Sequence, residues 1–154
     1  MFGRKPPKPT IGWREWVSLP SVGIKKIKAK VDTGAQTSAM HAYDVEFYRK
    51  AGHQIVKFQV HPEQRSTKKS SACRARVVDY RKVKSSNGQS ELRPVIISDI
   101  ELMDQKWPIE ITLTNRDEMG FRMLLGREAF KKRFLVDAGN SFFGEKMKKK
   151  AKKK

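Results

Sequence analysis

A mainly β domain, built as a small closed or partly open barrel with one short helix near its C-terminal end, is the architecture this sequence predicts. Three observations carry the prediction. Short runs alternate apolar and polar residues, an Asn87-Gly88 pair sits in a Ser-rich turn between two such runs, and only one short segment has a helical pattern. At 154 residues the chain is long enough for a single domain with a real core.

The elements follow in order. Residues 1–12 read as a flexible, basic, Pro-rich arm, 13–144 as the folded domain, and 145–154 as a Lys-rich disordered tail. Trp16, Val17 and Leu19 lead to a break at Pro20-Ser21. Ile27, Ala29 and Val31 then alternate with Lys26, Lys28 and Lys30, so one face of this strand is buried and the other carries lysines. Val56, Phe58 and Val60 predict another strand, and Cys73, Ala75 and Val77 a third, with a polar loop from His61 to Ser71 between them. The Asn87-Gly88 hairpin is flanked by Arg81-Lys82-Val83 and by Leu92 to Ile97. Trp107, Ile109, Ile111 and Leu113 alternate with Glu110, Thr112 and Thr114. Met123-Leu124-Leu125 is a short apolar run closed by Gly126. Arg127 to Arg133 is the helical segment, about two turns long, and Phe134-Leu135-Val136 reads as a last strand.

The formal net charge is +18. The tail, residues 145–154, holds seven lysines against Glu145 and so contributes +6, leaving +12 on the body. Such a field attracts polyanions: nucleic acid, ribosomes, anionic lipid or acidic peptides. No apolar stretch is long enough to span a bilayer, and Met1 to Thr10 has no apolar segment of the secretory type. Cys73 is the sole cysteine, which fits a reducing cytoplasm, as it would a periplasmic protein without cystines.

Val31-Asp32-Thr33-Gly34-Ala35 carries the most chemical information. An aspartate at a strand exit, on a Thr-Gly turn, has its carboxylate exposed where backbone N–H groups can hold it. It becomes a catalyst when a second carboxylate shares its proton: the ionised member activates water and the protonated member polarises a carbonyl. Taken alone, the tripeptide reads first as an ordinary capped turn, because Asp and Gly are common turn residues. Val136-Asp137-Ala138-Gly139 lacks the threonine and reads as a strand-ending turn. No His-Glu-x-x-His is present, and His41, His53, His61 and Cys73 have irregular spacing, so no metal site is expected. No P-loop run is present either, so no nucleotide cofactor is expected.

The Asp32 turn and the later run Leu124-Leu125-Gly126-Arg127 together resemble the paired signatures of retropepsin-type aspartic peptidases. The chain is more similar still to the retropepsin-like bacterial family that has carried the label "ATP-dependent zinc protease". That similarity includes Ile11-Gly12-Trp13-Arg14-Glu15, Leu19-Pro20, Lys28 to Ala35, Thr37-Ser38, His41-Ala42, Arg93-Pro94-Val95-Ile96, Leu113-Thr114-Asn115-Arg116, Met123 to Arg127 and Leu135-Val136-Asp137. Gln36 departs from the Arg expected there. The resemblance implies a peptidase in which Asp32, Thr33 and Gly34 from two copies form one dyad across a two-fold axis, since one chain is too short for two lobes. It makes Ala35 a substrate neighbour. It also offers Ser86, Asn87 and Gly88 as the tip of a flap, with an ordinary exposed hairpin as the equal alternative. Leu125, Gly126 and Arg127 become structural support, Arg127 tying helix to barrel or subunit to subunit.

Two rival readings use the charge. A basic face including Lys25, Lys26, Lys28, Lys30, Lys68, Lys69, Arg74, Arg76, Arg81, Lys82 and Lys84 predicts ribosome or nucleic-acid association. Relatives of the resembled family are often associated with glutamate ligases, which implies trimming of acidic, polyglutamate tails as a third possibility.

Overall fold

The computed structural model describes residues 7–61, 70–84, 87–115 and 120–152, with residues 151 and 152 described as backbone only. The predicted fold class holds. Twelve strands and two helices are present among the described residues: β1 (Thr10–Gly12), β2 (Arg14–Leu19), β3 (Ile24–Asp32), β4 (Ser38–His41), β5 (Tyr43–Lys50), β6 (His53–Val60), β7 (Ser71–Arg76), β8 (Asp79–Lys84), β9 (Ser90–Leu102), β10 (Gln105–Thr114), β11 (Met123–Gly126), α1 (Arg127–Phe130), β12 (Leu135–Asp137) and α2 (Phe143–Lys152).

Six strands close on themselves in the order β10-β4-β11-β3-β2-β9, with β9 returning to β10, and β8 extends the sheet outward from β9. Full closure leaves the six wall strands without free edges. The alternation seen in the sequence becomes this wall. Ile27, Ala29 and Val31 of β3 point inward to meet Ile96 and Ile100 of β9, Ile111 of β10, Met40 of β4 and Leu125 of β11 in one core. Each buried Ile or Leu contributes about 1.5–3 kcal/mol. A second sheet, β5-β6-β7, adds Val56, Phe58, Val60 and Cys73 to that core.

Three segments differ from expectation. Thr10–Gly12, assigned to the flexible arm, is a strand paired in parallel with β12; three residues are too few to show a period. The predicted two-turn helix is a single turn, Arg127–Phe130, because the chain leaves it to bury Phe134 beside Trp107. Residues 145–154, read as a disordered tail, fall largely within α2. The physical reason is Glu15, a fully buried carboxylate. It accepts the backbone N–H groups of Phe143 (2.9 Å) and Gly144 (3.0 Å) at the start of α2, and that of Gly12 (2.7 Å). Backbone donors at a helix start lack intrahelical partners, and a carboxylate is the strongest acceptor for them.

Candidate active site

Asp32 ends β3, and its position is set by two neighbours. Across the parallel ladder it pairs with Gly126 of β11. On its own turn, Oδ1 accepts the Gly34 N–H at 2.9 Å and its carbonyl accepts the Ala35 N–H at 3.3 Å. Asp32 is half-buried, and Thr33 and Gly34 are exposed. The turn therefore offers its carboxylate at the molecular surface.

The Leu125-Gly126-Arg127 run clamps this turn. The Arg127 N–H donates to the Ala35 carbonyl (2.8 Å) and the Glu128 N–H to that of Gln36 (3.2 Å). Gly126 N–H donates to the buried Ser38 Oγ at 3.1 Å. Gly126 has no alternative at this approach: a Cβ there would lie 2.6 Å from the Thr37 carbonyl carbon and 2.7 Å from its oxygen. Arg127 also reaches the Gly34 carbonyl through Nη1 (3.4 Å), so it braces the Asp32 turn itself rather than only joining helix to barrel. Gln36, where an Arg was expected, is exposed.

The outward face of β3 carries Lys26, Lys28, Lys30 and Asp32 in succession. By ladder register, Leu124 of β11 lies beside Lys30, and Ala39 of β4 beside Leu124. Ala39 and Leu124 in turn line a cavity of about 20 Å³ with His41, Arg93, Thr114, Phe121 and Arg122. Arg93 is 3% exposed and its Nε donates to Glu91 Oε2 (3.0 Å), which also accepts from Thr114 Oγ1 (3.2 Å). Arg122 Nη1 lies 3.4 Å from His41 Nδ1. Sequence reading missed this buried cationic group. No signal in the sequence marked it, since Arg93 stands in a strand that also carries Glu91, Ser98, Asp99 and Glu101.

A larger groove of about 980 Å³ begins where the Asp32 turn ends, at Gln36, Thr37 and Ser38, and runs past Trp107, Arg81 and Arg133. Of the flap residues, Asn87 and Gly88 form the exposed turn of the β8–β9 hairpin, with Gly88 at φ +86° and the Gln89 N–H donating to Asn87 Oδ1 (3.1 Å). That turn belongs to a different element from the Asp32 loop; Ser86 lies outside the described residues, as do Lys68, Lys69 and Arg116. His41, His53, His61 and Cys73 are dispersed over β4, β6, the end of β6 and β7, with His61 stacked on Tyr43. Among the described residues no three His, Cys, Asp or Glu side chains converge on a common point. Burial pushes the Cys73 thiol up to about 11.

Asp137, at the end of β12, forms the second Asp-x-Gly turn: Oδ1 accepts from the Gly139 N–H (2.9 Å) and Oδ2 from Asn140 Nδ2 (2.8 Å). These bonds, the Asn140 bond foremost, hold its carboxyl below the usual carboxylate range.

A family model described as "Retropepsin-like aspartic endopeptidase RimB" matches residues 10–147. The chain belongs to the RimB-like family. That description, rather than the ATP-dependent zinc protease label, is the one the match carries. Curated relatives named "Probable alpha-L-glutamate ligase" are similar over the same region. The protein from Shewanella pealeana is 50% identical over 137 residues, covering 88% of this chain and 30% of its own length. That from Shewanella halifaxensis is 48% identical over 132 residues, covering 86% and 29%. The chain thus spans under a third of these relatives. A solved structure, the protein Lpg0085 of unknown function from Legionella pneumophila, superposes with a TM-score of 0.73 at 28% identity, covering 88% of this chain and 98% of that one. Among the described residues no helix is long and apolar enough to cross a membrane.

Proposed function

We propose that this protein is a homodimeric aspartic endopeptidase in which Asp32 and its symmetry mate share one proton. The observation that carries the reading is the braced, surface-exposed Asp32 turn: Gly126 packs against it, and Arg127 and Glu128 hydrogen-bond to it, yet among the described residues only Oδ1 of its carboxylate is engaged. A carboxylate so placed is rigid and accessible, as a dyad across an interface requires. Two carboxylates about 3 Å apart cannot both ionise. The ionised one takes a proton from water as it attacks the scissile carbonyl carbon, and the protonated one donates to the carbonyl oxygen. Thr33 steadies the turn beside its twin, and Ala35 leaves room for substrate. No metal or nucleotide takes part.

The substrate class that fits best is acidic. Lys28 and Lys30 share the outward face of Asp32, the net charge is +18, and relatives bear the name of a ligase whose product would be glutamate-rich. Polyglutamate tails are the reading this supports. The deciding experiment digests a peptide library and a polyglutamylated peptide with wild type and Asp32→Asn, each with EDTA or pepstatin, alongside sedimentation. The expectation is a dimer whose cleavage survives EDTA and disappears in Asp32→Asn. Cleavage abolished by EDTA but kept in Asp32→Asn overturns the assignment, and equal cleavage of an uncharged control overturns the acidic preference.

A further inference from the structure

We infer that the face built by α2 against β2 and β3 is a docking surface for single-stranded nucleic acid, separate from the Asp32 site. Helix α2 carries lysines at 146, 148, 149, 150 and 152, with a single acidic residue, Glu145. Two open grooves flank it. One, of about 180 Å³, is lined by Lys25, Lys26 and Lys148 with Trp16, and also by Glu101, Asp104 and Glu145; the other, of about 500 Å³, by Lys146 and Lys149 with Trp16, Phe142 and Glu145. Trp16 lines both. Phe142 stacks on it (6.2 Å, 21°), and Lys26 sits 4.7 Å over its ring.

The construction is costly locally. Phe142 is held at φ +59°, a conformation that bulky residues avoid. Lys146 stands three and four residues before Lys149 and Lys150, and like charges at those spacings oppose the helix. The buried Glu15 nevertheless fixes the first turn. A helix that repels itself and is still anchored gains from a polyanion laid along it. The second groove, with two lysines and two aromatic rings against one carboxylate, has the pattern of single-strand binders, whose bases meet rings while phosphates meet lysines. An acidic peptide would use the lysines and leave the rings idle. Asp32 lies six residues further along β3 from Lys26, roughly 20 Å away.

The test titrates a fluorescent 12-nucleotide RNA into the full chain and follows anisotropy across a salt series. Wild type should bind at 50 mM salt with affinity falling steeply as salt rises, and Asp32→Asn should bind equally. The triple variant Lys146→Ala, Lys148→Ala, Lys149→Ala should lose at least about tenfold in affinity and shallow the salt slope by roughly 0.7 per lysine removed. Alanine favours helix, so retained helical circular dichroism separates lost contacts from lost structure. Phe142→Gly, which relieves the positive φ but removes the ring, should weaken binding about fivefold or more. Undetectable binding, an unchanged triple variant, or displacement by charge-matched poly-L-glutamate as readily as by unlabelled RNA would each overturn the proposal.

Discussion

The chain makes the same local turn twice, at Asp32 and at Asp137, and only one of them resembles a catalyst. Each aspartate ends a strand in a parallel pair, opposite a glycine: Gly126 for Asp32, Gly12 for Asp137. Each accepts the N–H of the residue two positions on at 2.9 Å. Each glycine is packed against backbone of the facing loop, where a Cβ would come within 2.6 Å of Thr37 or 2.3 Å of Asn140. The difference lies in the second carboxylate oxygen. Asn140 occupies it in Asp137, and no side chain among the described residues occupies it in Asp32. The lesson is that an Asp-x-Gly turn becomes a candidate active site when its outer oxygen is left for something else. The Asp137 turn spends that oxygen on its own loop.

The sharpest way to break the comparison is to neutralise each aspartate. Asp32→Asn should lower peptidase turnover by about 10²-fold or more while the thermal melt persists. Asp137→Asn should leave turnover within a few-fold. Equal losses in both variants would show that the two turns are not functionally distinct.

Next in size is Glu15, which joins the Asp137 side of the molecule to α2. Glu15→Ala leaves the N–H groups of Gly12, Phe143 and Gly144 without their acceptor in a buried place. A loss of about 3 kcal/mol in urea unfolding is expected, together with helical signal at 222 nm. Activity per folded molecule should be retained, because the Asp32 turn is braced by β11 and α1 instead. Gly126→Ala is the counterpart on the other side. Its methyl meets unyielding backbone, so roughly 1–3 kcal/mol is expected, and here activity should fall with stability because Thr37 and Gln36 must move.

What could be read in advance divides along the same physical line. β3 was legible because Ile27, Ala29 and Val31 face a core while Lys26, Lys28 and Lys30 do not, and the Asp32 turn follows directly from that strand. β5 was not legible, since most of Tyr43–Lys50 is exposed and no period of two survives without a buried face. α2 was hidden because a lysine run has the composition of a disordered tail. Its anchor, Glu15, is 128 residues away from Phe143 in sequence. The brace between Gly126 and Thr37 is likewise long-range: the residues announced a family resemblance, and the close approach that explains the glycine appears only when β11 is laid beside β3 and β4.

The smallest effect sharpens the account of Asp137. Its folded carboxyl sits below the ordinary value of 3.8 because Asn140 and the Gly139 N–H bind the ionised form. A depressed folded value means the unfolded chain binds the proton first on acidification, so the group's contribution to stability is fully present above the unfolded value and fades as pH falls through the folded one. Thermal melts of wild type and Asp137→Asn should therefore differ by a small, constant amount above about pH 5 and converge progressively below about pH 4. Asn140→Ala should mimic the aspartate variant, since it removes the leading cause of the depression. If the gap between wild type and Asp137→Asn instead persists unchanged into strong acid, the carboxylate contributes through shape alone. Charge-assisted bonding at its second oxygen would then no longer be what sets this turn apart from the one at Asp32.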